Sequence, residues 1–289
     1  YLSAKCPVFI APAMDLDMYK HKSTKDSLDK LATFGDAIIP AEEGLLASGL
    51  SGAGRMAEPE HIVAFIVKHL KGLQPLSGKR VIVTAGPTYE PIDPVRFIGN
   101  HSSGLMGYEL ADYAAKLGAE VVLVSGPTSL LVSDKTIKKF AVATAIEMNK
   151  VVLAHFETSD IFIGAAAVAD YRPAQVYDQK IKKESLANPN IELIKNPDII
   201  AGLGKIKKHQ YLVGFALETQ DVLDNGTKKL HAKNLDAIVL NSLEDPGAGF
   251  GHKTNKVQFL SHKNGLKSFP LKSKKAVAID LWNEILKEL

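Results

Sequence analysis

Cysteine is almost absent from this sequence. Of 289 residues, only Cys6 carries a thiol, so no internal disulfide can form, which fits a reducing cytoplasm. Cys6 lies in the apolar run Cys6-Pro7-Val8-Phe9-Ile10, where a buried structural thiol is expected. Long hydrophobic runs are also missing. No apolar stretch reaches the ~20 residues needed to span a bilayer, and no secretory signal is present, so a membrane partner is not expected. A dominant charge is missing as well. The formal net charge is +3, too small to argue for nucleic acid, and no basic face is interleaved with aromatics. So small a lysine surplus ordinarily means solvated side chains, though it also suits anionic small molecules. What is present is an ordinary globular composition, 46% apolar and 23% charged. That suffices for one large or two modest domains with a substantial core.

Residues 1–74 read as a strand at 8–10, a helix at 24–33, a short strand at 37–40, a Gly-rich loop and a helix at 59–73. Ile62, Phe65, Ile66 and Leu70 form the apolar stripe of that last helix. Gly72-Leu73-Gln74-Pro75-Leu76-Ser77-Gly78-Lys79 has the Gly, Pro and Ser content of a linker. A second domain is expected over residues 75–289, and its new pattern begins at Arg80. Val81-Ile82-Val83-Thr84-Ala85 is a β-branched buried strand, followed by a loop of about 17 residues. Ser102-Ser103 then offers an N-cap for a helix at 105–117. Strands at 120–125, 139–142, 161–166, 211–216 and 237–240 alternate with helices at 145–156, 198–206 and 222–232. Such alternation predicts a doubly wound, mainly parallel Rossmann-like sheet covered on both faces. A hairpin around His262-Lys263-Asn264-Gly265 and an amphipathic helix at 274–286 end the chain.

In a doubly wound sheet, ligands bind beyond the carboxyl ends of the strands. Four loops expected there are unusual. The segment from Gly86 to Gly104 is long and ends at a Ser- and Gly-rich helix start, which suits an anion or is simply a capping loop. It holds neither a G-x-G-x-x-G nor a P-loop, which counts against a nicotinamide dehydrogenase. Gly164-Ala165-Ala166-Ala167-Val168-Ala169-Asp170 has small residues that allow a ligand, or a helix, to approach closely. Asp170 could bond a ribose or base. Lys180-Ile181-Lys182-Lys183 suits a cover over phosphates, although a solvated charge run is the ordinary reading. Asn196-Pro197-Asp198-Ile199-Ile200 looks like the start of a helix.

Together these motifs resemble the phosphopantothenate–cysteine ligase family. The resemblance rests on Val83-Thr84-Ala85-Gly86-Pro87-Thr88, Glu90-Pro91-Ile92-Asp93-Pro94-Val95-Arg96, Asn100-His101-Ser102-Ser103-Gly104 and Met106-Gly107. It continues through the three later loops, Gly214-Phe215-Ala216, Lys233-Asn234-Leu235-Asp236 and Asn241, and so covers about residues 77–289. It implies that CTP, with Mg²⁺, activates the carboxylate of 4′-phosphopantothenate as an acyl-cytidylate, which cysteine then attacks. By the same resemblance CTP contacts fall on Gly164, Ala165, Ala166, Asp170, Lys180, Pro197, Asp198, Ile199, Ile200, Phe215, Lys229 and Lys233. Lys180 would cover the phosphates, and Arg96 and Asn100 would hold phosphopantothenate and the acyl-cytidylate. No metal ligand is implied. A homodimer through the ligase domain and its hairpin is.

Residues 1–74 resemble the second half of a flavodoxin-like, FMN-dependent phosphopantothenoylcysteine decarboxylase domain, through Ala11-Pro12-Ala13-Met14, Met18 and Gly52-Ala53-Gly54-Arg55-Met56. The chain is thus expected to be a shortened bifunctional coenzyme A biosynthesis protein. It departs from the decarboxylase pattern. Ala47-Ser48-Gly49, or nearby Ser51, stands where that family has its proton-donating cysteine, and Asp15 stands for its substrate-binding asparagine. A serine hydroxyl is a poor proton donor, so no decarboxylation is expected, and because the resemblance covers only the second half of that flavin-binding domain, no retained FMN is expected either.

Overall fold

The computed structural model describes residues 1–72, 74–182, 190–218, 221–242, 249 and 251–289. Lys183, which ends the lysine run, lies outside the described residues. The chain forms two compact units, Tyr1–Leu73 and Gln74–Leu289.

The first unit runs β1 (Phe9–Ile10), α1 (Leu16–Lys20), α2 (Lys22–Thr33), β2 (Ala37–Ile38), β3 (Glu42–Leu45), β4 (Ser51–Arg55) and α3 (Pro59–Gly72). β1 pairs parallel with β2, and β3 pairs antiparallel with β4. The Gly-rich stretch read as a loop is therefore a hairpin. Asp15 caps α1, its Oδ1 accepting from Leu16 N at 2.6 Å. Cys6 is exposed, contrary to the expectation of a buried thiol. The apolar run reaches a paired strand only at Phe9, so no neighbouring strand covers the thiol. On α3, Ile62, Phe65 and Ile66 are half-buried, and Phe65 meets Phe9 edge-on at 6.5 Å. Leu70, at the helix's far end, is exposed instead of completing the stripe.

The second unit runs β5 (Arg80–Ala85), β6 (Tyr89–Pro91), β7 (Phe97–Gly99), α4 (Leu105–Lys116), β8 (Glu120–Ser125), β9 (Lys138–Ala141), α5 (Ala145–Phe156) and β10 (Ile161–Gly164). It continues with β11 (Tyr171–Pro173), β12 (Leu193–Lys195), α6 (Ile199–Ile206), β13 (Tyr211–Glu218), α7 (Val222–Ala232), β14 (Ala237–Ser242), β15 (Thr254–Ser261), β16 (Gly265–Ser273) and α8 (Lys274–Leu286). Eight strands form one sheet in the order β16-β15-β14-β13-β10-β5-β8-β9. The six from β14 to β9 are parallel, and β15 and β16 are antiparallel additions. The order of the parallel strands is that of a Rossmann sheet, with its reversal between β5 and β10.

Alternation along the strands splits the core into two layers. Val81, Val83, Ile161, Ile163, Val213 and Val239 pack with α4 and α8 on one face. Ile82, Phe162, Leu212, Ile238 and Leu240 pack with α5, α6 and α7 on the other. Gly107 lets α4 lie directly on β5, where a Cβ would come within 2.6 Å of that of Ala85. Among the described residues no helix is long and apolar enough to cross a membrane.

Candidate active site

The cleft lies where the strand order reverses. Gly86 follows β5, and Ala165 follows β10. A parallel bridge joins Pro87 to Ala167, with Ala167 N donating to Gly86 O at 2.9 Å. Buried hydroxyls then fix the small-residue loop. Thr84 Oγ1 accepts from Ala166 N at 3.2 Å, and Thr88 Oγ1 accepts from Ala169 N at 3.0 Å. Asn100 Nδ2 donates to Ala167 O at 3.0 Å and to Val168 O at 3.2 Å. Asn196 continues the set, its Nδ2 donating to Ala169 O at 2.8 Å. The backbone that forms the floor is thus fastened from three directions.

These segments enclose a cleft of about 460 Å³. Of the residues expected to bind nucleotide or substrate, Asn100, Gly164, Ala165, Ala166, Asp170, Pro197, Asp198, Ile199, Ile200, Phe215, Lys229 and Lys233 line it. Small side chains at 164–166 leave room beside the Phe215 ring. Lys233 is the C-cap of α7 rather than part of it, and its Nζ sits 2.7 Å from Asp198 Oδ2. The other oxygen of Asp198 caps α6 by accepting from Ala201 N at 3.1 Å. At α4 the cap is Gly104, in the left-handed region at φ 81, rather than Ser102 or Ser103. The two serines accept instead from Gly104 N and Leu105 N, at 3.2 and 3.5 Å. Gly104 itself has no side chain with which to cap the helix, whose first residues, Leu105 and Met106, line the cleft.

Lys180 and Arg96 stand apart from the lining. Lys180 is exposed. The long loop 86–104 contains the hairpin of β6 and β7, whose Tyr89 and Phe97 rings stack at 3.9 Å. At its tip Arg96 pairs through Nη2 and Nε with the buried carboxylate of Asp93. Arg96 Nη2 also donates to Ile181 O at 3.2 Å, and Ile181 N donates to Asp93 Oδ2 at 3.2 Å. The hairpin tip thereby grips the residue after Lys180. The Arg96 guanidinium, together with the backbone N–H groups of Val95, Ile181 and Arg96, holds the Asp93 carboxyl well below the usual carboxylate range against the opposing effect of burial.

Thr88, Asp93 and Asn196 belong to the motifs quoted above, but their positioning roles appear only in three dimensions. Lys274 and Asn255 also line the cleft and were not anticipated. A signal for Lys274 does exist in the sequence. It stands three, four, seven and eight residues before Val277, Ala278, Leu281 and Trp282, on the apolar face of its helix.

Residues 76–289 match the family described as DNA/pantothenate metabolism flavoprotein C-terminal domain, and residues 1–71 match the flavoprotein family. The chain belongs to the DNA/pantothenate metabolism flavoprotein family. It is 46% identical over 286 residues to the coenzyme A biosynthesis bifunctional protein CoaBC of Bacillus subtilis, covering 98% of this chain and 70% of that protein. It is 53% identical over 291 residues to a protein of an unknown prokaryotic organism named cysteine/cysteine sulfinic acid decarboxylase, covering 99% of this chain and 81% of that one. Among solved structures, the C-terminal domain of a coenzyme A biosynthesis bifunctional protein CoaBC superposes with a TM-score of 0.64 at 40% identity, covering 74% of this chain and 97% of that domain. Within this family the eight-stranded sheet and its cleft form the C-terminal domain, and the first unit is the flavoprotein portion.

Proposed function

We propose that this chain is a phosphopantothenate–cysteine ligase of coenzyme A biosynthesis that uses CTP. The observation that carries this reading is the convergence of four separate sequence segments on one cleft at the strand-order reversal. Asn100 with residues 102–106, residues 164–170, residues 196–200 and the Phe215 region line it, with Lys229 and Lys233 at its side. Membership beside bifunctional coenzyme A biosynthesis proteins supports the same reading.

The first half-reaction joins a carboxylate oxygen of 4′-phosphopantothenate to the α-phosphorus of CTP, breaking the bond to pyrophosphate. In the second, the cysteine amine attacks the acyl carbon, CMP departs with the bonding pair, and the amine loses a proton. A free carboxylate is a poor electrophile, and the cytidylate supplies a good leaving group. The base fits between the 164–166 loop and Phe215, with Asp170 at its edge. Lys229 and Lys233 face the triphosphate, and phosphate oxygens would take over the cation that Asp198 now holds. Asn100 positions the acyl group. Arg96 acts through Asp93 by holding the stretch that carries Lys180, which closes over the phosphates and their redistributing charge. Among the described residues no three His, Cys, Asp or Glu side chains gather to hold a metal ion. Mg²⁺ would enter with the nucleotide and offset the charge of its triphosphate.

The homodimer is part of this proposal, with the edge strand β16 offering Leu266 and Leu271 as exposed apolar side chains. Decarboxylation and FMN belong to the flavoprotein portion of the family. Here Ser48 and Ser51 lie on or beside an exposed hairpin, and Asp15 is occupied as a helix cap, so we assign no decarboxylase chemistry to this chain. The deciding experiment measures pyrophosphate released from phosphopantothenate and Mg²⁺ with CTP or with ATP, before cysteine is added. Pyrophosphate with CTP, followed by CMP only once cysteine is present, is expected. No pyrophosphate with either nucleotide would overturn the ligase reading.

A further inference from the structure

Lys233 enters the cleft from an unusual helix end. Just past this cap of α7, Asn234 N donates to His231 O at 3.2 Å, and Leu235 N donates to Leu230 O at 3.0 Å. These two bonds make a Schellman closure, in which the residue after the cap turns left-handed. Asn234 takes that conformation at φ 52. Glycine adopts it with less strain. Asparagine adds what glycine cannot, a side chain whose Nδ2 donates to Gly204 O at 2.8 Å, near the end of α6. That carbonyl is among those a helix end leaves without an intrahelical partner.

Gly204 is the other half of the contact. It is buried inside α6, where glycine is unfavourable relative to alanine. A Cβ at this position would come within 2.0 Å of Lys233 O. Only glycine lets the end of α7 lie this close to α6. The consequence reaches the cleft, because Lys233 Nζ sits 2.7 Å from Asp198 Oδ2, and Asp198 is the N-cap of the same α6. Gly204 follows Asp198 by six residues, about 9 Å along a helix. The lysine therefore runs along α6, its backbone held near the last turn and its ammonium at the cap.

We propose that Asn234 and Gly204 are positioning residues for Lys233. They fix its backbone, and so fix where its ammonium stands when nucleotide phosphate displaces Asp198. Their use in turnover rests on the ligase reading above. Their hold on Lys233 does not.

The test pairs Asn234→Ala, which removes the amide and disfavours the left-handed turn, with Asn234→Gly, which removes the amide alone. Asn234 is exposed, so neither change opens the core. The first readout is acetylation of Lys233 without nucleotide, followed by mass spectrometry. It should quicken roughly fivefold in Asn234→Ala, the effect of losing one ordinary hydrogen bond, and less in Asn234→Gly. Lys228, exposed on the same helix, should react as before. The second readout is the split between substrates. KM for CTP should rise on the order of 10-fold in Asn234→Ala, while KM for phosphopantothenate stays within about twofold. A merely structural role would weaken both alike. In a Lys233→Met background, which has no ammonium to place, Asn234→Ala should add nothing further to KM for CTP. Unchanged labelling, an unchanged KM for CTP, an equal rise in both KM values, or full additivity with Lys233→Met would each overturn the assignment. If the wild type releases no pyrophosphate, the ligase reading fails, and labelling alone still decides whether Asn234 and Gly204 hold Lys233.

Discussion

The two units have similar element types and very different interiors. Among the described residues of Tyr1–Leu73 the buried hydrophobic side chains are Ile39, Leu46 and Ala57, while Met18, Phe34, Leu45, Val63, Val67 and Leu70 are exposed. Its strands are two to five residues long and pair only two by two. In Gln74–Leu289 a continuous eight-stranded sheet separates two apolar layers. Sheets become stable when three or more strands share a covered face. The second unit meets that condition on both faces, and the first does not meet it with its own strands. Rigid placement of catalytic groups needs such a frame, and the candidate site is accordingly built at one end of the large sheet. The comparison teaches that stability and chemistry should both respond to changes in the second unit and hardly at all to changes in the first.

The largest expected effect is on turnover. Lys180 is exposed and touches none of the core, so Lys180→Gln should leave the melting temperature unchanged. Removing one preorganised charge from a catalytic centre typically lowers the rate on the order of 10²–10³-fold. Lys182→Gln is the control and should lose little. Pyrophosphate release near the wild-type rate in Lys180→Gln would return the lysine run to an ordinary solvated surface.

Next comes stability. Trp282 is fully buried between α8 and α4, and its Nε1 donates to Leu110 O at 3.0 Å. Trp282→Ala should cost about 3–5 kcal/mol, the usual range for emptying a large aromatic site. Denaturant melts would show it as a lower midpoint. A loss below about 1 kcal/mol would mean that the thick core of the second unit is not what holds the protein together.

Much of this frame was legible in the sequence. The bounds of α5, α7 and α8 follow from apolar periodicity and capping, as with Thr144 and Glu147, which form a capping box on α5. The parallel sheet follows from the alternation of elements. The hairpin of β6 and β7 was not legible, because Pro87, Pro91 and Pro94 break the strand signal. It forms because Tyr89 stacks on Phe97 and because Thr88 and Glu90 are tied into the body of the unit. Glu90 Oε1, for instance, accepts from Ala145 N at 2.9 Å. The hairpin of β11 and β12 escaped for a related reason, since its strands are separated by about twenty residues of sequence. Site residues on loop motifs could be named from resemblance. Those that act by fastening one loop to another, such as Asn196 and Asp93, needed coordinates. Lys274 was visible as a polar residue in an apolar phase, a pattern easily read as a helix end.

A smaller effect concerns acid. Asp93 has a folded pKa held well below its unfolded value of about 3.9 by Arg96 and three backbone N–H groups. A depressed carboxylate adds stability that is fully present above the unfolded pKa and is lost as pH falls through the folded one. The wild type should therefore lose melting temperature steadily below about pH 4. Asp93→Asn should start lower and show a shallower acid decline over the same range. It should also slow turnover at neutral pH, because Ile181 loses its anchor. Parallel acid limbs in the two proteins would show that the Asp93 clamp does not contribute to the second unit's stability.

The smallest effect is expected in the first unit, and it makes the sharpest check on the comparison. Val67 lies on α3 and is 44% exposed, on the outer face with Val63 and Leu70. Val67→Ala removes two methyl groups that the described structure leaves facing solvent, so little burial is lost. Alanine is also the better helix former, by several tenths of a kcal/mol, because it has no β-branch to restrict. The two contributions should nearly cancel, leaving a change of about 0.5 kcal/mol or less in either direction. Thermal melts of Val67→Ala and Trp282→Ala, run side by side, give the result directly. A drop in Val67→Ala comparable to that in Trp282→Ala would mean that the outer face of α3 is covered in solution, by association with another surface. The contrast between a thin first unit and a thick second one would then describe the isolated chain but not the working protein.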